Sequence, residues 1–303
     1  MNNVLNYLVS CAERIPEKCA VVDASVSLSY KELYEKSARV GTALSVFGTE
    51  NEPVGVYMEK DAKALCAFFG VCFSGGFYSF LNTELPQTRL SQIADVLKPR
   101  VIVTTEELKK TAEEFFPSFE IVAFEELEKG EADFALLEKV LKRRIDTDPL
   151  YVNFTSGSTG TPKGIAVSHR SVIDFIDCFT ETFEITENDV IANQAPFDFD
   201  VSVKDIYSAL KTGATLAVVP RRLFSEPAKL VDFLCEKNVT VMIWAVSALC
   251  LLSTFHALDY RTPESVRKIL FSGEVMPLKA LRNFRTHLPD ATFVNLYGPT
   301  EIT

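Results

Sequence analysis

Short apolar runs rich in β-branched and aromatic residues alternate with helix-length amphipathic segments through most of the 303-residue chain. That alternation constrains the fold more than any other feature. Val54–Tyr57, Phe77–Phe80, Val101–Val103, Tyr151–Phe154, Val190–Asn193, Thr215–Val219, Val239–Ile243, Lys268–Phe271 and Thr292–Asn295 read as strands. Asp61–Ser74, Gln87–Leu97, Val172–Phe183, Ala228–Lys237 and Leu278–Leu288 carry helical spacing. Pro86, Pro227 and Pro277 stand where a helix begins, because the ring presets φ and its missing N–H costs nothing in a first turn. Strands alternating with helices predict an α/β fold of mostly parallel sheets flanked by helices. The Glu-, Lys- and Arg-rich stretch from Glu106 to Asp148 predicts a linker or solvated surface, with subdomains at 1–145 and 146–303.

A net charge of -10 argues against nucleic-acid or anionic-membrane partners, which need a basic patch to displace counterions. The seven cysteines form no CxxC pair, so buried free thiols in a reducing, cytoplasmic setting are expected. Val4, Leu5, Leu8, Val9, Ala12 and Ile15 fit an amphipathic first helix, and no basic segment precedes them as in a signal peptide. Ala64–Leu81 is uncharged and long enough to span a bilayer. Gly75-Gly76 interrupts it, which predicts a buried helix, a turn and a core strand.

The segment YVNFTSGSTGTPKG, 151–164, carries the most chemistry. A strand feeds a loop dense in Gly, Ser and Thr that ends in Pro162-Lys163-Gly164. Glycines let backbone N–H groups converge on an anion, hydroxyls add donors, and the lysine adds a point charge, an arrangement suited to a triphosphate. The spacing is not that of a Walker A loop, and no GxGxxG follows an early strand.

Thr155 to Gly164 resembles the phosphate-loop signature of the adenylate-forming superfamily, which comprises peptide-synthetase adenylation domains, acyl-CoA synthetases and luciferases. LSYKEL at 28–33, CFSGGFYSFL at 72–81, FDVS at 199–202 and NLYGPTE at 295–301 resemble further elements of that family, in its order. The resemblance implies the large N-terminal core of an adenylate-forming enzyme. By it, Thr155, Ser156, Gly157, Ser158, Thr159, Gly160 and Lys163 hold the phosphates of ATP. Gly273, Glu274, Asn295 and Tyr297 frame the adenine, Thr300 contacts the α-phosphate and Glu301 binds Mg²⁺. Lys163, Thr300 and Glu301 are the implied catalytic residues.

Asp200 in FDVS matches the aspartate that binds the substrate α-ammonium in amino-acid-activating members. The competing reading is an aspartate capping the helix that starts near Ser202. The segments 193–207, 271–277 and 288–295 are similar to D-alanine–carrier-protein ligases, with departures at Lys204, Trp244-Ala-Val-Ser247 and Ser272. By the same alignment Val201, Lys204, Ile243, Leu270, Ser272 and Leu296 line the side-chain pocket. A lysine among apolar groups needs a partner, which is an acidic side chain of the substrate unless Lys204 turns outward or pairs with an internal carboxylate; the candidate substrates are thus an acidic amino acid and, from the similarity, D-alanine. The implied partner is a carrier protein whose phosphopantetheine thiol takes the acyl group. Acyl-CoA synthetase and a truncated, non-catalytic paralogue are the alternatives. The chain stops at Thr303, where family members continue through the rest of the core to a C-terminal lid with a catalytic lysine. The polypeptide alone is therefore expected to be weakly active or inactive.

Overall fold

The computed structural model describes residues 3–156 and 161–300. Among them, contacts divide the chain into one unit of residues 3–18 and 29–175 and a second of 19–28 and 176–300. The division falls at Phe175/Ile176, inside a helix, instead of at residue 145. The stretch 106–148 is no linker, because it supplies a strand and helices to the first unit.

Chain order begins with α1 (Leu5–Arg14), β1 (Cys19–Val22) and β2 (Ser27–Ser29), β1 and most of β2 belonging to the second unit. The first unit continues with α2 (Tyr30–Ser45), β3 (Pro53–Val56), α3 (Ala62–Phe73), β4 (Phe77–Phe80), α4 (Gln87–Leu97) and β5 (Val101–Thr104). It closes with α5 (Lys109–Phe115), β6 (Ile121–Ala123), α6 (Phe124–Leu127), α7 (Phe134–Lys142), β7 (Pro149–Ser156) and β8 (Pro162–Ser168). The sheet runs β6-β5-β3-β4-β7-β8, parallel except at β7–β8.

Local chemistry explains the elements. At the start of α2, Ser29 Oγ accepts the Glu32 amide at 3.2 Å and Glu32 Oε2 accepts the Ser29 amide at 2.8 Å, a reciprocal cap. The Ser29 amide holds the Glu32 carboxyl below its ordinary range. Buried Leu28, Tyr30 and Leu33 pin the same turn, so LSYKEL acts here as a helix-start signal. α3 is buried on nearly every side, and α2 packs closely on it. A Cβ added at Gly70 would stand 2.4 Å from Val40 Cγ1, closer than any real contact. Gly75, at φ +80°, then turns the chain into β4. Among the described residues no helix is long and apolar enough to cross a membrane. Cys66 and Cys72 are buried free thiols, and burial pushes Cys66 up to about 12.

α8 (His169–Thr182) crosses the unit boundary. The second unit proceeds through β9 (Val190–Asn193), α9 (Val201–Thr212), β10 (Thr215–Val218), a 3-10 turn (Arg221–Ser225), α10 (Pro227–Glu236) and β11 (Val241–Ala245). It ends with α11 (Val246–Thr254), α12 (Ala257–Tyr260), β12 (Lys268–Ser272), α13 (Leu278–His287) and β13 (Thr292–Asn295). Its sheet runs β13-β12-β11-β9-β10-β1-β2, parallel from β13 to β1. Strand alternation sends Ala192, Met242, Trp244, Ile269 and Phe271 into a core shared with α10, α11 and α13.

The amino-terminal edge of this sheet is tied from strand to strand. Thr215 Oγ1 donates to Cys19 O at 2.8 Å, the Thr215 amide to Asp189 O at 2.9 Å, and the Thr240 amide to Val190 O at 2.9 Å. The Arg267 amide donates to Thr240 O and the Thr292 amide to Arg267 O, each at 2.9 Å. Fully buried Asp189 takes Thr240 Oγ1 and the Arg267 guanidinium. Burial alone would raise the Asp189 carboxyl, but these donors and the Thr186 amide bring it below its ordinary value.

Candidate functional site

Strand order locates a crevice in the second unit. β9 leads to β10 on one side, and the chain then crosses to β11 on the other. Ligands of open parallel sheets bind at the carboxyl ends of strands where the winding direction reverses. Here those ends are Asn193 of β9 and Ala245 of β11, and Gln194 Oε1 bridges them by accepting the Ala245 amide at 3.2 Å.

The segment after β9 delivers Asp200 to this edge. The Phe199 amide donates to Pro196 O at 3.1 Å, and the Ser202 and Val203 amides donate to Phe199 O and Asp200 O, each at 3.0 Å. Asp200 stands at the N-cap of α9 with φ −57° and ψ −27° and makes no side-chain cap. Capping needs an extended residue whose carboxylate can turn back toward the N2 or N3 amide, and helical φ and ψ at Asp200 forbid that. The half-buried carboxylate has no hydrogen bond or ion pair among the described residues. The capping interpretation of Asp200 therefore fails.

α9 packs on β9, β10 and β11. Asn193 and Asp205 show which sheet face it covers, since Asn193 Nδ2 donates to Asp205 Oδ2 at 2.7 Å in the interior. Ile243 and Leu270 are register partners that alternate with core residues of the opposite face, so they point to the α9 face and are buried. Ser272, two residues beyond Leu270, is half-buried on that face at the strand end, in register with Ala245. Val201 and Lys204 occupy the first turn of α9, both half-buried. Among the described residues Lys204 makes no ion pair or side-chain hydrogen bond. Half-buried Leu296 is fixed by its amide bond to Phe271 O at 2.7 Å.

Gly273 follows β12 at φ +97°, a conformation open chiefly to glycine, and exposed Glu274 succeeds it. Asn295 ends β13 in register with Phe271. The Tyr297 ring is 98% exposed, and Thr300 is half-buried. Glu301 lies outside the described residues, as do Gly157, Ser158, Thr159 and Gly160. Among the described residues no group of three or more His, Cys, Asp or Glu is arranged around a metal position.

In the first unit β7 and β8 form an antiparallel pair in which Thr155 faces Lys163 and Ser156 faces Pro162. Pro162, Lys163 and Gly164 are thus strand residues and not loop, and the Lys163 side chain is exposed. Arg89 of α4 donates through Nη2 to Thr155 O at 3.1 Å and fixes the strand end from which the Gly/Ser/Thr segment departs. Arg89 and Gln194 act on backbone groups, so no side-chain motif marked either in the sequence.

His169, at the start of α8, is 3% exposed, and its Nδ1 accepts the Val4 amide at 3.4 Å. Burial lowers it to about 4. His256 and His287 share Asp259, at 3.0 and 2.9 Å.

A family model described as an AMP-binding enzyme matches residues 8–303. The D-alanine–D-alanyl carrier protein ligase of Staphylococcus aureus (strain JH9) is 27% identical over the whole chain and 60% of its own length. The chain thus spans about 60% of the length of such curated relatives. The nonribosomal peptide synthetase FmoA3 bound to alpha-methyl-L-serine-AMP superposes with a TM-score of 0.89 at 25% identity, over 99% of this chain and 33% of that one. VinN in complex with L-aspartate shares the fold, with a TM-score of 0.86 at 20% identity over 99% of this chain and 77% of that one.

Proposed function

Because this chain belongs to the AMP-binding enzyme family, we propose that it activates an amino acid as an aminoacyl adenylate for transfer to the phosphopantetheine thiol of a carrier protein. The observation that carries the reading is Asp200, a half-buried carboxylate at the switch point that caps nothing and pairs with nothing among the described residues. A fatty or aryl acid offers it no partner, whereas an α-ammonium group does. The substrate carboxylate attacks the α-phosphate of ATP and releases pyrophosphate. The carrier thiol then attacks the acyl carbon and AMP leaves. In this reading Thr155, Ser156, Gly157, Ser158, Thr159, Gly160 and Lys163 hold phosphate oxygens, and Gly273, Glu274, Asn295 and Tyr297 frame the adenine. Thr300 would meet the α-phosphate, and Glu301 would hold a Mg²⁺, which would supply positive charge to the phosphates.

Val201, Lys204, Ile243, Leu270, Ser272 and Leu296 form the proposed side-chain pocket. Lys204, which makes no ion pair among the described residues, favours an acidic substrate side chain, and D-alanine is the alternative that the Staphylococcus aureus relative's name supports. Amino-acid-dependent ATP–pyrophosphate exchange across L- and D-amino acids, with fatty acids as controls, tests the reading. Aspartate or glutamate is expected to exceed D-alanine, and Lys204→Met to reverse that order. Exchange driven by a fatty acid would sink the proposal.

A further inference from the structure

α13 carries a surface that the chemistry above does not use. Ala280, Phe284 and Leu288 anchor its inner face in the core. Leu278, Arg282 and Arg285 recur on the outer face at i, i+4 and i+7, with Lys279 beside them. Lys279, Arg282 and Arg285 are exposed, and among the described residues none makes an ion pair or side-chain hydrogen bond. The helix contains no acidic residue, on a chain whose net charge is -10. Val275 and Leu278, 83% and 68% exposed, add an apolar end to the stripe. That end lies next to Ser272 and Gly273, at the carboxyl edge of the sheet where the proposed acyl adenylate forms.

We propose that α13 is a docking helix for an acidic, helix-presenting carrier protein, received with its apolar contact nearest the site. This rests on the adenylation reading, which requires a thiol donor to approach that edge. The ten-residue helix is about 15 Å long, the reach of one short partner helix. A complementary helix meets the stripe within a Debye length, roughly 8–10 Å. An extended polyanion such as a nucleic acid or an anionic bilayer also meets the acidic remainder of the chain and is repelled.

The test is fluorescence anisotropy with two labelled probes, a phosphopantetheinylated carrier protein and a short DNA duplex. The carrier protein is expected to bind the chain, about tenfold or more weakly once Lys279→Glu, Arg282→Glu and Arg285→Glu are combined, and more weakly as salt rises. Lys110→Glu, exposed in the other unit, is expected to change nothing. Failure of the carrier to bind, equal binding by the charge-reversed protein, or tighter binding of the duplex would each overturn the proposal. Pyrophosphate exchange, which involves no carrier, is expected to be the same in both proteins, and its loss on charge reversal would also overturn the docking role. Failure of both proteins to bind ATP and an amino acid, with carrier binding intact, would count against the adenylation reading alone.

Discussion

Each unit contains an aspartate at the start of the helix that follows the first strand of its sheet's switch point, and the two aspartates do opposite things. Asp61 in the first unit is extended, at φ −148° and ψ −174°, and its Oδ1 accepts the Ala64 amide at 2.9 Å. Asp200 in the second unit is helical and its carboxylate caps nothing. The surroundings follow the same division. Between the carboxyl ends of β3 and β5, Thr104 Oγ1 donates to Tyr57 O at 2.8 Å, and past the end of β4 Thr83 Oγ1 donates to Glu59 at 3.0 Å. Lys63 pairs with Glu125, which also takes the Glu106 amide. In the first crevice these groups engage one another, whereas the second presents, among the described residues, a carboxylate and a half-buried lysine without an ion pair, and an exposed tyrosine. Shared topology therefore gives two crevices that differ in how far the chain's own groups engage their polar side chains.

The largest expected effect tests the open crevice. Asp200→Ala should lower amino-acid-dependent pyrophosphate exchange about a thousandfold, roughly 4 kcal/mol. The urea midpoint should barely move, because no cap is lost. A collapse in stability with exchange retained would break the comparison.

Next comes acid sensitivity of the closed unit, whose buried His169 is held near 4 against an ordinary 6.5. The folded value is the depressed one, so the unfolded chain takes the proton first. The contribution is intact above 6.5 and is lost as pH falls through 4, about 3 kcal/mol in all. Urea titrations at pH 7 and pH 4 should show a smaller acid loss for His169→Gln than for the native protein. Parallel losses would show that carboxylates alone account for the acid sensitivity.

The smallest effect is Thr104→Val, which removes the buried bond across the first crevice. It should cost about 1–2 kcal/mol of stability and leave exchange unchanged once folded protein is matched. A change in substrate KM would show that the first crevice takes part in binding.

Much of the fold was legible because strand period and helix spacing coincide with burial. β4, β9, β13 and α4 occupy the residues that periodicity indicates. β8 was hidden, since PKGIAVS follows a glycine-rich loop and reads as its continuation until β7 supplies a partner. For 106–148 the linker reading failed, because short amphipathic helices around a three-residue edge strand have the composition of a linker, while the solvated surface is there. At the site, the residue type of Asp200 was readable but its freedom was not. Cap or ligand depends on backbone angles set by the turn from Pro196 to Phe199. His169 carried no periodic signal of burial, because its partner lies 165 positions away.

The tied amino-terminal edge of the second sheet gives that unit an electrostatic polarity. Side-chain and backbone ties rivet β1, β10, β9, β11, β12 and β13 together at one margin. Toward the other margin the ties are neutral: Gln194 and Trp244 bond β9 to β11, the Val219 amide donates to Asn193 O and the Leu296 amide to Phe271 O. The sheet's Arg267–Asp189 ion pair thus sits at the margin away from the proposed site. Among the described residues, Asp200 and Lys204 near the opposite margin make no ion pair.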